Sequence, residues 1–90
     1  MGQVEAFTLQ GLKLWFNSSD HLPPHVHVKR RGDWEIRVFF LECTENYLAC
    51  EHKWGRKNPS AADRSAILAA VLEHRVALLE EWERKVCKSN

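Results

Sequence analysis

His25-Val26-His27-Val28-Lys29-Arg30, then Arg31-Gly32-Asp33, then Trp34-Glu35-Ile36-Arg37-Val38-Phe39-Phe40 is the stretch that decides how this chain folds. Side chains alternate across a strand, so the first segment reads as a strand with His25 and His27 on one face and Val26 and Val28 on the other. Arg31-Gly32-Asp33 reads as a turn, and Trp34, Ile36, Val38 and Phe40 form one face of the next strand. Links this short join antiparallel neighbours, because a parallel crossover takes about a dozen residues. Upstream, Leu12, Leu14 and Phe16 alternate with Lys13, Trp15 and Asn17 until the polar cluster Asn17-Ser18-Ser19-Asp20 ends that strand. Phe7 to Leu9 reads as a short strand before a hairpin at Gln10-Gly11. Downstream, Asn46 to Trp54 reads as the last strand.

The polar breaker from Gly55 to Pro59 separates these strands from a helical period. Asn58 before Pro59, or Ser60 three residues before Asp63, can cap the helix that follows. Leu68, Val71, Leu72, Leu78, Leu79, Trp82 and Val86 make one apolar stripe, with Glu73, Glu80 and Arg84 opposite. Arg75 falls inside the stripe and His74 at its edge, so Arg75 must snorkel, pair or bind something. The expected fold is α+β: an antiparallel sheet of about four strands, within about residues 5–54, carrying one long C-terminal helix, about residues 59–86, on one face.

With 90 residues, 44% hydrophobic and 28% charged, the chain supports a single core over residues 1–90 and excludes both a second domain and disorder. The longest charge-free run, Ser65 to Leu72, falls far short of the roughly 20 apolar residues of a membrane span. A cytoplasmic protein without a membrane partner is expected. Lys and Arg total 13 against 12 Asp and Glu, a net charge of +1, so any nucleic-acid partner needs a local patch. Cys43, Cys50 and Cys87 are odd in number and form no C-x-x-C pair, which reads as reduced thiols. Trp15, Trp34, Phe39, Trp54 and Trp82 exceed what a one-sided sheet must bury, so either loops fold over some of them or a protein partner covers them.

Three of the five histidines lie between His21 and His27, stiffened by Pro23-Pro24. On a strand the rings of His25 and His27 project side by side, about 6–7 Å apart. Three readings follow. The pair is exposed and partly stacked beside the Pro-Pro turn, bonded to backbone and without a ligand. Or it binds a divalent metal such as zinc, with Cys50 and His52 as a second i, i+2 pair if their strand lies beside the first. Or it is a catalytic acid–base pair for RNA cleavage, with Arg75 or Lys29-Arg30-Arg31 holding the phosphate. The plain alternatives are a solvated strand end for Lys29-Arg30-Arg31 and a salt bridge to Glu35, Glu42 or Glu51 for Arg75. If Val26 and Val28 face the helix, Arg75 cannot reach the histidines. The Glu spacing of a cupin after His27 is missing, and Lys29 stands where a histidine-triad hydrolase needs a third histidine.

Asp20-His21-x-Pro23-Pro24-His25-x-His27-Val28, preceded by Leu14-Trp15-Phe16, resembles the signature of a small bacterial and archaeal family called domain of unknown function 4160. Glu73-His74-Arg75 with Leu78-Leu79-Glu80-x-Trp82 is similar to the family's closing segment, so the likeness runs from about Leu12 to Glu83. The resemblance marks His21, Pro23, Pro24, His25, His27, Arg75 and Trp82, and not Cys50 or His52. The stretch from Thr44 to Asn58 departs from the pattern, being longer and more basic. Genes of the family often sit beside another small uncharacterised domain. The resemblance therefore implies a partner-binding domain of toxin-antitoxin type, with a small protein partner encoded nearby. Joined to the reading of the residues, this gives a toxin acting on RNA with His25 and His27 for catalysis and His21, Arg75, Lys29, Arg30 and Trp82 for binding. The rival expectation is a non-catalytic binding domain whose histidines are structural or hold a metal.

Overall fold

The computed structural model describes residues 2–86. Five antiparallel strands follow one another across a single sheet in chain order: β1 Gly2–Gln3, β2 Lys13–Phe16, β3 Val26–Arg30, β4 Trp34–Val38 and β5 Cys50–Trp54. Two helices, α1 Ala61–Glu73 and α2 Arg75–Lys85, complete the α+β fold. Three corrections to the expected fold follow. The first strand is Gly2–Gln3 rather than Phe7 to Leu9, which lies in the connection leading to a turn where Leu12 N–H bonds the Leu9 carbonyl and Gly11 has φ 80°. The last strand starts at Cys50 rather than Asn46, because Thr44 and Tyr47 pair with each other in a tight turn.

The third correction is that the long helix is two. The Leu78 N–H still bonds the His74 carbonyl, but His74 sits at φ −108°, ψ 20°, outside helical geometry. Neither Pro nor Gly marks this break, so periodicity ran straight through it. At the break Phe7 stacks on the His74 ring, at 5.1 Å between centroids, and Arg75 donates to the Cys43 carbonyl. Ser60 is the N-cap of α1, accepting from the Asp63 N–H at 3.0 Å.

One face of the sheet carries the core. Leu14, Phe16, Val26, Val28, Ile36 and Val38 are buried there under Ile67, Val71, Leu78 and Trp82 of the helices. Phe16 meets Trp82 edge to face at 6.0 Å. Glu81, also buried, accepts the backbone N–H groups of Glu5 and Ala6 at 2.7 and 2.8 Å and pairs with Lys85, tying the connection after β1 to α2. At the end of β5 only glycine fits position 55. Its φ is 104°, and a Cβ there would lie 2.3 Å from the Asp33 carbonyl oxygen. No helix among the described residues is long and apolar enough to cross a membrane.

Candidate functional site

The register places Trp15, His27, Arg37 and Glu51 in one row across four strands, and Lys13, Lys29 and Glu35 in the next. Because Val26 and Val28 point into the core, this row lies on the sheet face that carries no helix. His27 is nevertheless only 3% exposed. Trp15 stacks on one side of it at 5.1 Å, the His25 ring meets it edge-on at 5.1 Å, and the loop from Asn17 to Pro24 folds over it. That loop is set by its own polar residues. The Asn17 N–H donates to the Asp20 carboxylate at 2.9 Å, and the Asp20 N–H donates back to the Asn17 carbonyl at 3.0 Å, the closed turn that Asn and Asp favour. His25 is wedged at the edge of the sheet between His27, Phe39 and the core residue Trp82.

The turn aims Asp20 at both rings. Its Oδ1 lies 3.0 Å from Nε2 of His27 and 3.5 Å from Nε2 of His25, and Oδ2 lies 3.1 Å from Nε2 of His27. Nδ1 of His25 donates to the Pro23 carbonyl at 2.9 Å. Nδ1 of His27 is buried without a hydrogen-bond partner, and the nearest acceptor it faces is Oε2 of Glu35 at 3.9 Å. Burial works to raise the Asp20 carboxyl. The Asn17 N–H, the hydrogen bond from His27 and the charges of both histidines outweigh it and hold the group below its ordinary 3.8. The three side chains form the floor of a cleft of about 480 Å³, with His21, Arg37, Glu51 and Lys53 at its sides.

Only part of the expected site is assembled here. His25 and His27 are together, with His21 exposed on the rim and Lys29 on the same open face one row away. The other three binding candidates lie on the helix face. Arg30 is held by Asp63 of α1 at 2.7 and 3.0 Å, Arg75 spends its guanidinium on the Cys43 carbonyl, and Trp82 is core. The ligand set His25, His27, Cys50 and His52 is not formed, since β4 stands between β3 and β5. Cys50 pairs with Val38 on the helix face, and His52 donates to the Gly55 carbonyl. Cys43 and Cys50 are free thiols, and Cys87 lies outside the described residues. Among the aromatic residues Trp34 is buried, and Trp54 is 55% exposed.

Sequence reasoning missed Asp20, Asn17, Glu35, Arg37 and Lys53. Asp20 heads the motif and was read only as a strand terminator, because a side chain that folds back from a loop leaves no periodic signal. Among the described residues, one group of three or more metal-binding side chains converges: Asp20, His25 and His27, their ligand atoms within 4.8 Å of one another. No curated protein and no solved structure matches the chain. The family model for a domain of unknown function (DUF4160) matches residues 11–83, from the turn before β2 almost to the end of α2, and the chain belongs to that family.

Proposed function

We propose that this domain binds a divalent transition metal through Asp20, His25 and His27 and presents it to a substrate in the open cleft. One observation carries the reading: Nε2 of His27 and Nε2 of His25 converge on one carboxylate oxygen of Asp20, at 3.0 and 3.5 Å. A neutral imidazole has a single N–H, and His27 gives its own to Asp20 through Nε2 while His25 spends its own on the Pro23 carbonyl. With Nδ2 of Asn17 also 3.3 Å from Nε2 of His27, the Nε2 lone pair of His25 is the one left pointing at the Asp20 carboxylate, 3.5 Å away. That contact is repulsive unless a cation stands between them. The Pro23 carbonyl on Nδ1 of His25 is the kind of outer partner that orients a metal-bound histidine. Tetrahedral zinc with bonds of about 2.0–2.1 Å sets its ligands about 3.3 Å apart, close to the 3.0 and 3.5 Å that separate Asp20 Oδ1 from the two rings. Three protein ligands leave a coordination position open, as catalytic rather than structural zinc requires.

The acid–base reading of the His pair is less well supported, since both Nε2 atoms are committed to one carboxylate and no expected arginine stands opposite. The toxin-antitoxin setting and a small protein partner belong to the same proposal, the open face being the surface a partner would cover. A second reading, in which the rings are structural, draws on their burial to 4% and 3% exposure. Calorimetric titration with zinc and manganese separates the two. The metal reading expects one site per chain, lost in Asp20→Asn, and a rise in stability of about 2.7 kcal/mol at a hundredfold excess over Kd. Absence of binding to either ion, with His27→Ala costing only about 1–3 kcal/mol of stability, would leave the structural reading in its place.

A further inference from the structure

The cations of this molecule divide into two sets. Arg30, Arg37, Arg84 and Lys85 each pair with a carboxylate. Lys57 pairs with Asp33; of the cations that pair with no carboxylate among the described residues, Lys13, Lys29 and Arg31 lie together. Lys13 and Lys29 are directly opposite on β2 and β3, a placement in which like charges repel. Both ammonium groups reach to the Trp15 ring, at 5.7 and 5.6 Å from its centroid. Two adjoining clefts share these lysines. One, of about 430 Å³, is lined by Gln3, Lys13, Trp15 and Lys29, and the other runs on to Gly11 and Arg31. The Trp15 ring in turn stacks on His27, so the trough abuts the proposed metal site.

We infer that this trough is the docking arm for a single-stranded nucleic acid, which thereby names the substrate class of the metal site proposed above and rests on that reading for its chemistry, though not for its binding. Unpaired cations concentrated around a half-buried indole match what a single strand offers: phosphates at regular intervals and flat bases able to stack on an aromatic ring. An acidic peptide supplies the charge but no flat partner for Trp15. Base stacking on Trp15, with flanking phosphates on Lys13, Lys29 and Arg31, would lead the backbone past His27 into the cleft beside Arg37 and Lys53. The strand would be read by its backbone and base planes, since the trough offers few hydrogen-bonding side chains to base edges.

The test is fluorescence anisotropy of labelled RNA and DNA oligonucleotides of about 12 nucleotides against the full chain, over a range of salt. The expected result is quenching of Trp15 emission on binding and a slope of log affinity against log salt near −2, as about three neutralised phosphates give on a single strand. Lys13→Glu combined with Lys29→Glu, the first exposed and the second half-buried on the open face, should lower affinity more than tenfold and flatten the slope. Asp20→Asn should leave oligonucleotide binding intact while abolishing metal binding, so the two proposals fail separately. Equal affinity of wild type and the double lysine variant would overturn the assignment, as would equal competition by heparin or poly-glutamate without quenching. RNA bound more tightly than DNA of the same sequence would place the 2′-hydroxyl among the recognised groups, and equal binding would assign recognition to phosphates and base planes alone.

Discussion

Strand β3 shows two ways of burying side chains on opposite faces of one sheet. Val26 and Val28 are sealed by helices and need nothing but apolar neighbours. His27, between them, is buried almost as completely on the face without helices, by a stacked tryptophan and a polar loop. On the helix face Asp63 holds Arg30 and the Cys43 carbonyl accepts from Arg75, whose Nε is buried without a partner. On the open face a buried ring nitrogen of His27 lacks a partner, and Lys13, Lys29, Arg31 and Lys53 pair with no carboxylate among the described residues. A sheet this small secures its fold on one side, and that leaves the other side free to hold groups whose interactions are incomplete until something binds.

The sharpest way to break the comparison is on the helix face. Trp82→Ala should cost about 4 kcal/mol in urea denaturation, by removing a ring packed on Phe16 and His25. Glu81→Ala should cost about 3 kcal/mol, because it strands two backbone N–H groups and Lys85 beside α2. At the seam between the faces, Gly55→Ala should cost about 2 kcal/mol, through its positive φ and the Asp33 carbonyl. The Arg30–Asp63 tether sharpens the comparison through pH. The hydrogen bond from Arg30, working against burial and helped by the charge of Arg30 and by Ser60, holds the Asp63 carboxyl below its ordinary 3.8. A carboxyl depressed on folding adds stability that is full above 3.8 and lost as pH falls through the lower folded value. Asp63→Asn should therefore flatten the acid limb of the stability curve. Lys53→Ala, on the open face, should shift stability by no more than about 0.5 kcal/mol.

Much of the fold was legible because alternation along β2, β3 and β4 is strict, and because Ser60 three residues before Asp63 is a capping pattern with a direct mechanism. Facing was not, since alternation says which residues share a side and not which side the helix takes. Val26 and Val28 outweigh the histidines in apolar surface, and that preference chose the facing. It separated Arg75 and Arg30 from His25 and His27 and left Trp82 touching His25 only from the core side. The site's third member, Asp20, sits in a loop where no period applies, and the break at His74 carries no Gly or Pro to announce it.

The central claim concerns where protons sit on two rings. It is tested most directly by nitrogen NMR of the imidazoles of His25 and His27, before and after zinc is added. The account predicts that at one equivalent of zinc Nδ1 carries the proton on both rings, His27 having given up the Nε2 proton it shares with Asp20, while both Nε2 resonances move together to metal-bound positions. Rings whose Nε2 resonances ignore zinc, or an Nδ1 that loses its proton to bind it, would contradict the Asp20–His25–His27 centre.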